Sequence, residues 1–383
     1  MRFEFASSTH IIFGPGTLRD VAPLAAKMGN RAFVVTGQSL ERAEPLLETL
    51  NKQGVEYVTF NVTGEPTTIT AKTGIEQARR ARRDLVIGIG GGSALDTGKV
   101  IAAMLTNTGE LEDYLEVVGH GKPLIQSPVP YIAIPTTAGT GAEVTQNAVL
   151  SVPEHQVKVS LRGPFVSARL AVVDPVLTHS MPPSITASTG LDALTQLMEA
   201  YVSNKANPLT DGICREGLKR AGRSLRRAFE DGNDSTARED MALASLFSGL
   251  ALANAKLGAV HGLAGPLGGM ISAPHGTICA RLLPYVMEAN VTALRKRADD
   301  SPALIRYDEI AQLLNGSTAA TIDGVEWVRD ICLALKVPSL SEFGLKEQDF
   351  PTVVAKSQKS SSMKGNPISL TDDELTAILK KSL

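Results

Sequence analysis

Cysteine is scarce. Cys214, Cys279 and Cys332 are the only three in 383 residues, odd in number, far apart and in no CxxC pair. That excludes a disulfide framework and a cysteine zinc cluster, and leaves buried apolar packing as the expectation for each. An excess of one charge is lacking too: 38 lysine plus arginine face 40 aspartate plus glutamate, a formal net charge of -2. Neither sign gathers into a run that could track a polyanion, so no nucleic-acid partner is expected. No uncharged apolar run reaches the roughly 18 residues of a membrane-spanning helix, and MRFEFASSTHIIFG lacks the basic-then-apolar pattern of a secretory signal. The expectation is a cytoplasmic protein with no membrane partner. Fixed-period repeats are absent, and the one low-complexity stretch, KSQKSSSMKGN (356–366), reads as an exposed loop.

What is present is ordinary globular composition, 43% hydrophobic and 20% charged, in a chain long enough for two cores. The first half alternates helical patterns with short β-branched runs: RAFVVTG (31–37), VEYVTFNV (55–62), DLVIGIGGG (84–92), PYIAIPTT (130–137) and ARLAVVDP (168–175). Nearly continuous apolar runs of this length suit strands buried on both faces of a parallel sheet, so a doubly wound α/β layer is expected. After MPPSITASTG (181–190) the runs stop, and stretches such as REDMALASLFSGLALANAKLGAV (238–260) and ALIRYDEIAQLL (303–314) take over with helical spacing. The pair Pro182-Pro183 is the natural joint, giving an α/β domain at 1–181 and an all-helical domain at 182–383.

VIGIGGGSALDTGK (86–99) follows a strand and opens a helix with Ser93 as a plausible N-cap. Consecutive glycines let backbone approach a diphosphate, and the helix N-terminus can bind it. The two standard fingerprints nevertheless fail. GxGxxG started at Gly88 meets Ser93 at its third glycine, and the GK at 98–99 lacks the flanking residues of a P-loop, so a tight structural turn is an equal reading. A second loop, IPTTAGTGAEVT (134–145), also follows a strand; two such loops at strand carboxyl ends should border one crevice.

AVHGLAGPLGGMISAPHGTICA (259–280) carries two of the six histidines, His261 and His275, each followed by glycine. GLDALTQLMEAY (190–201) puts Asp192 and Gln196 four apart, on one helical face. A lone histidine in a helical domain is usually a hydrogen-bonded packing residue. Two of them with Asp192 would form the two-histidine, one-carboxylate set that suits iron(II) and is compatible with catalytic zinc.

GGGSALDTGK, IPTTAGTGAEVT, MPPSITASTGLDALTQLMEAYVS and AVHGLAGPLGG…APHG, in this order and at these separations, resemble the iron-containing (group III) alcohol dehydrogenase family over essentially the whole chain. The resemblance implies an α/β N-terminal dinucleotide-binding domain and an all-α C-terminal domain, a dehydroquinate synthase-like fold with the active site in the interdomain cleft. It implies a homodimer that uses NAD(P)(H) to interconvert small alcohols and aldehydes or ketones. The metal ligands carry over to Asp192, Gln196, His261 and His275, with a divalent Fe2+ or Zn2+ polarising the carbonyl through Asp192, His261 and His275.

Three departures stand out. Gln196 occupies a position that is normally histidine, and an amide oxygen is a weaker ligand than imidazole. Gly265 replaces a histidine sometimes proposed in proton transfer, and Tyr285 stands at another histidine position, where packing is the simpler reading. Gly37 stands where many NAD-using members have an acidic residue on the ribose, with Gln38 and Ser39 beside it, which favours NADP(H) or dual use over strict NAD. The other implied cofactor contacts are Glu65, Pro66, Gly91, Gly92, Ser93, Thr136, Thr137, Thr140 and Lys158, the last with a solvated strand-end charge as its alternative. A sugar-phosphate cyclase, a maleylacetate-reductase-like keto-acid reductase and a metal-deficient, non-catalytic dinucleotide-binding homologue are the competing readings.

Overall fold

The computed structural model describes residues 2–7, 10–155 and 157–383. It divides into two compact units: Ser7–Thr137 with Gly141–Ser180, and Met181–Leu383 with Ala138–Thr140 and the first residues up to Ala6.

The first unit is built on β1 (His10–Phe13), β2 (Arg31–Thr36), β3 (Glu56–Asn61), β4 (Leu85–Gly90), β5 (Tyr131–Pro135) and β8 (Leu170–Val173), paired in parallel in the order β1-β8-β5-β4-β2-β3. A separate antiparallel hairpin joins β6 (Asn147–Val152) to β7 (Val157–Arg162). The central strands are continuous apolar runs because both faces are covered. Phe33, Val35 and Val86 pack with α3 (Thr68–Arg80) and α4 (Gly92–Met104), whereas Ala32, Val34, Leu85 and Ile87 pack with α1 (Val21–Ala25) and α2 (Glu44–Lys52). The helix after β2 thus lies on one face and the helix after β4 on the other. The crossovers diverge between the carboxyl ends of these two neighbours, a topological switch point of the kind that binds ligands in open α/β sheets.

All five expected strands are present. The short edge strand β1 and the hairpin, whose β6 alternates half-buried and buried residues, were not anticipated.

The second unit is helical: α5 (Pro183–Val202), α6 (Pro208–Glu230), α7 (Ser235–Ala255), α8 (Ala259–Leu267), α9 (His275–Arg297), α10 (Pro302–Asn315), α11 (Thr321–Ala334), α12 (Phe350–Ser357) and α13 (Asp372–Ser382). Helix α5 is buried without interruption from Gly190 to Val202 and packs against α6, α7 and α9. Pro182 is its N-cap and Pro183 its first residue, where the missing N–H costs nothing, so the small polar run after the prolines is helix. The apolar run 238–260 is broken rather than continuous: α7 ends at Ala255, Lys256 turns to φ 67°, and α8 starts at Ala259. The 356–366 stretch is only partly the exposed loop expected, since Ser357, Gly365 and Asn366 are buried. Asn366 Oδ1 accepts from the Ala259 N–H at 3.0 Å while its Nδ2 donates to Asn290 Oδ1 at 2.7 Å, so this segment pins the start of α8. Among the described residues no single helix is long and apolar enough to cross a membrane.

Candidate active site

Three helices bring the candidate ligands together. On α5, Asp192 and Gln196 lie one turn apart, 2% and 1% exposed. His261 lies in the first turn of α8 and His275 opens α9. The His-Gly pairs have a packing reason: a Cβ at Gly276 would stand 2.2 Å from the Ser188 carbonyl oxygen, so only glycine lets the start of α9 rest on α5. Asp192 Oδ1 consequently lies 3.4 Å from His261 Nε2 and 3.9 Å from His275 Nε2.

Two residues in the cluster were not foreseen. Cys279 is buried in the helical core as expected, but it also sits one turn after His275, so its Sγ lies 3.7 Å from His261 Nε2 and 3.6 Å from His275 Nε2. The expectation holds for Cys214, which lies in the helical core, while the half-buried Cys332 faces the Ala280 carbonyl. The second is Glu199, two turns after Asp192. Its Oε2 meets His261 Nδ1 at 2.6 Å and its Oε1 accepts from the Val260 N–H at 2.6 Å. This carboxylate keeps the proton on Nδ1 and turns Nε2 inward, the usual outer partner of a metal-ligating histidine.

A divalent ion fits these residues. Asp192 Oδ1 and Gln196 Oε1 are buried with no hydrogen-bond partner, a costly state that a cation would relieve. Donor atoms of Asp192, His261, His275 and Cys279 all lie within 4.8 Å of one another. Burial alone would push Asp192 up, but the neighbouring imidazoles of His261 and His275 outweigh it and hold the carboxyl below its ordinary value. Gln196 Nε2 donates to Asp192 Oδ2 at 3.4 Å. Gly265 has open space where a side chain would start, and Tyr285 packs against the helical core under the Arg281 guanidinium, 5.7 Å from its ring.

In the sheet unit the carboxyl ends of β2, β4 and β5 meet. The Thr136 N–H donates to the Gly90 carbonyl at 2.9 Å, and a Cβ on Gly90 would come within 3.0 Å of the Gly37 nitrogen. The cap of α4 is Gly91, not Ser93, because the chain turns immediately after Gly90 and helix begins at Gly92. Gly91 has no side chain to cap with, which leaves the first N–H groups of α4 to an outside acceptor. Ser93 is half-buried in the first turn. The close-packing glycine that the fingerprint seemed to lack is Gly98: a Cβ there would stand 2.8 Å from the Tyr131 ring, whose hydroxyl bonds the Leu95 carbonyl. Lys99 is buried on Thr145 Oγ1 and the Asn147 carbonyl, at 2.8 and 2.7 Å, so it is no phosphate lysine.

Around this turn, Gln38 and Ser39 are exposed, Thr136 is buried and Thr137 half-buried, and a Cβ on Gly91 would stand 3.4 Å from Thr137 Cγ2. Lys158 is not a solvated charge: its side chain is 11% exposed and its Nζ pairs with Glu65 Oε2 at 3.0 Å. Pro66, buried, accepts from the Ser151 N–H and so ties this loop to the hairpin. Thr140 falls with Ala138 and Gly139 in the helical unit.

Comparison with known proteins agrees with this architecture. Residues 8–175 match the model of the iron-containing alcohol dehydrogenases, and residues 186–383 match the C-terminal model of the Fe-containing alcohol dehydrogenase family. The chain is 34% identical over 379 residues to alcohol dehydrogenase 4 of Saccharomyces cerevisiae (strain YJM789), covering 97% of this chain and 96% of that one. A crystal structure of 1,3-propanediol oxidoreductase superimposes with a TM-score of 0.93 at 31% identity, over 100% of both chains. Sulfoacetaldehyde reductase from Bifidobacterium kashiwanohense, solved in complex with NAD+, does so with a TM-score of 0.87 at 27% identity, over 100% of this chain and 99% of that one. The chain belongs to the iron-containing alcohol dehydrogenase family, and its activity is that of an oxidoreductase acting on alcohols and aldehydes.

Proposed function

We propose that this chain is an NAD(P)(H)-dependent, metal-assisted alcohol dehydrogenase and carbonyl reductase, with Asp192, His261 and His275 as the principal metal ligands and Gln196 beside them. The observation that carries the reading is the buried cluster itself: two inward imidazole nitrogens, one oriented by Glu199, around a carboxylate oxygen without a hydrogen-bond partner. When bound, Fe2+ or Zn2+ supplies positive charge that polarises a carbonyl oxygen. Asp192 offsets part of that charge, Glu199 fixes the His261 tautomer, and the open space over Gly265 leaves room beside α8.

The sheet unit is the dinucleotide-binding domain, and the helical unit the metal and substrate domain. The uncapped start of α4 suits a diphosphate, with Gly91, Gly92 and Ser93 at the turn and Thr136, Thr137 and Thr140 in the second loop. The Lys158–Glu65 pair with Pro66 borders the same cofactor site. Gly37, Gln38 and Ser39 follow β2 at the ribose position; with no carboxylate there to repel a 2′-phosphate, the reading is NADP(H) or dual use. Hydride transfer between nicotinamide and carbonyl carbon needs no nucleophilic side chain, only orientation of the two reactants. A cytoplasmic homodimer completes the proposal: three unpaired cysteines suit a reducing compartment, and sizing tests the dimer.

The experiment is elemental analysis of the purified protein together with NADPH and NADH absorbance against a panel of small aldehydes and keto acids, with and without chelator. Chelator-sensitive turnover is expected. No turnover with either cofactor and no metal after reconstitution with Fe2+ or Zn2+ would remove the proposal.

A further inference from the structure

We propose that Cys279 binds the divalent ion as a thiolate, forming with Asp192, His261 and His275 a four-donor set in which sulfur does what Gln196 cannot. The inference rests on the metal reading above and extends it to a residue outside the ligand set carried over by resemblance.

The spacing of donor atoms carries the argument. Sγ of Cys279 lies 3.7 and 3.6 Å from the Nε2 atoms of His261 and His275, and Asp192 Oδ1 lies 3.4 and 3.9 Å from the same two atoms. Around one tetrahedral ion with bonds of about 2.0–2.1 Å to nitrogen and oxygen and about 2.3 Å to sulfur, neighbouring donors stand roughly 3.3–3.6 Å apart. Those four separations are therefore within about half an ångström of what such an ion requires, and all the donors lie within 4.8 Å of one another. Cys214 and Cys279 are equally buried in the helical core, but the sulfur of Cys279 also faces two ring nitrogens and the cluster in which Asp192 Oδ1 lacks a hydrogen-bond partner.

Gln196 has a different part. Its Nε2 is committed to Asp192 Oδ2, which leaves Oδ1 as the carboxylate oxygen turned to the two imidazoles. That makes Gln196 a positioning residue for Asp192, with a neutral carbonyl oxygen as at best a weak extra donor. The helices offer their ligands as rows: Asp192 and Gln196 one turn apart on α5, His275 and Cys279 one turn apart on α9. Weakening of the first row at residue 196 is offset by a strong donor in the second. As the metal–sulfur bond forms, the thiol S–H bond breaks and its proton passes to solvent, with no change in oxidation state. A sulfur donor among imidazoles also biases the site toward Zn2+ and away from Mg2+ or Mn2+.

The test is cobalt substitution in the 383-residue chain. Metal is stripped with chelator under anaerobic conditions and Co2+ is titrated back. We expect a near-ultraviolet thiolate-to-cobalt charge-transfer band that saturates at one equivalent, disappears in Cys279→Ser and survives in Cys332→Ser. Zinc affinity, measured by chelator competition, should fall about 100-fold or more in Cys279→Ser, beyond the roughly 10–100-fold of an outer-shell partner, and by less in Gln196→Ala. One equivalent of bound Co2+ without the band, or a band that persists in Cys279→Ser, overturns the proposal and leaves the metal site standing. Failure to bind Co2+ or Zn2+ at all overturns both. The wild-type spectrum alone can refute the idea, so poor folding of a variant cannot shelter it.

Discussion

Replacing Glu199 by glutamine should cost metal affinity without reshaping the site. Glu199 is 5% exposed, and its carboxylate takes short bonds from the Val260 N–H on Oε1 and from His261 Nδ1 on Oε2, each at 2.6 Å, with the His261 backbone N–H a longer donor to Oε2 at 3.4 Å. Glutamine keeps one oxygen and turns the other into an NH2 group. With the oxygen left on Val260, the NH2 faces Nδ1, and the imidazole can accept that bond only by moving its own proton to Nε2. The nitrogen meant for the metal then carries a hydrogen. With the oxygen on Nδ1 instead, the NH2 faces the Val260 N–H and the first turn of α8 loses its anchor. Either way one charge-assisted hydrogen bond is lost, about 1.5–3 kcal/mol for a buried partner. Converted at about 1.4 kcal/mol per decade, that is roughly a 10–100-fold rise in the zinc dissociation constant, the scale expected for an outer carboxylate on a metal-ligating histidine. Chelator competition at neutral pH measures it, with far-ultraviolet circular dichroism as the check that the helices remain. A dissociation constant within about twofold of wild type would refute the tautomer argument, since twofold is far below one such bond.

Other perturbations follow from the same contacts. Gly276→Ala drives a Cβ into the Ser188 carbonyl oxygen and should destabilise the chain by about 1–3 kcal/mol in urea titration, whereas Gly262→Ala meets first the flexible Cε of Met363 at 2.8 Å, with Met363 Cβ and N farther off at 3.3 and 3.4 Å, and should cost less; equal costs would show that α9 is free to shift off α5. Gly37→Asp places a carboxylate in open space after β2 and should lower kcat/KM for NADPH at least about tenfold more than for NADH, a selectivity of about 1.4 kcal/mol; equal losses would mean that the ribose binds elsewhere. Zinc affinity should rise with pH. Burial by itself lowers both imidazoles, but the neighbouring Cys279 and Asp192 outweigh it and hold His261 well above 6.5 and His275 above the same value. Because the metal must displace those protons, affinity should still climb above pH 6.5, by about one decade per pH unit for each ligand still protonated; a titration already flat at pH 6.5 would contradict these shifts.

What could be read from the residues, and what could not, divides along a physical line. Strands buried on both faces announce themselves as unbroken apolar runs, so β2, β4, β5 and β8 were legible. A hairpin half-exposed on alternate residues, and a four-residue edge strand supported on one side by β8, carry far weaker patterns. Asp192, His261 and His275 stood out because their side chains have few reasons to be buried in a helical domain other than a partner or an ion. Glu199 and Cys279 obey the same helical arithmetic, seven after Asp192 and four after His275, yet each has a bland reading in isolation: a glutamate near a helix end is ordinarily solvated, and a single cysteine is ordinarily core. Only the packing of α5, α8 and α9 removes those readings, by burying the glutamate against His261 and facing the sulfur toward two imidazoles. The glycine turn carries the same lesson, since Gly98 performs the close packing that a fixed spacing looked for at Ser93. A polar side chain in helical register with an assigned ligand therefore shares that ligand's environment. Once Asp192 and His275 are accepted, the residues one and two turns along their helices are the next to weigh as part of the centre.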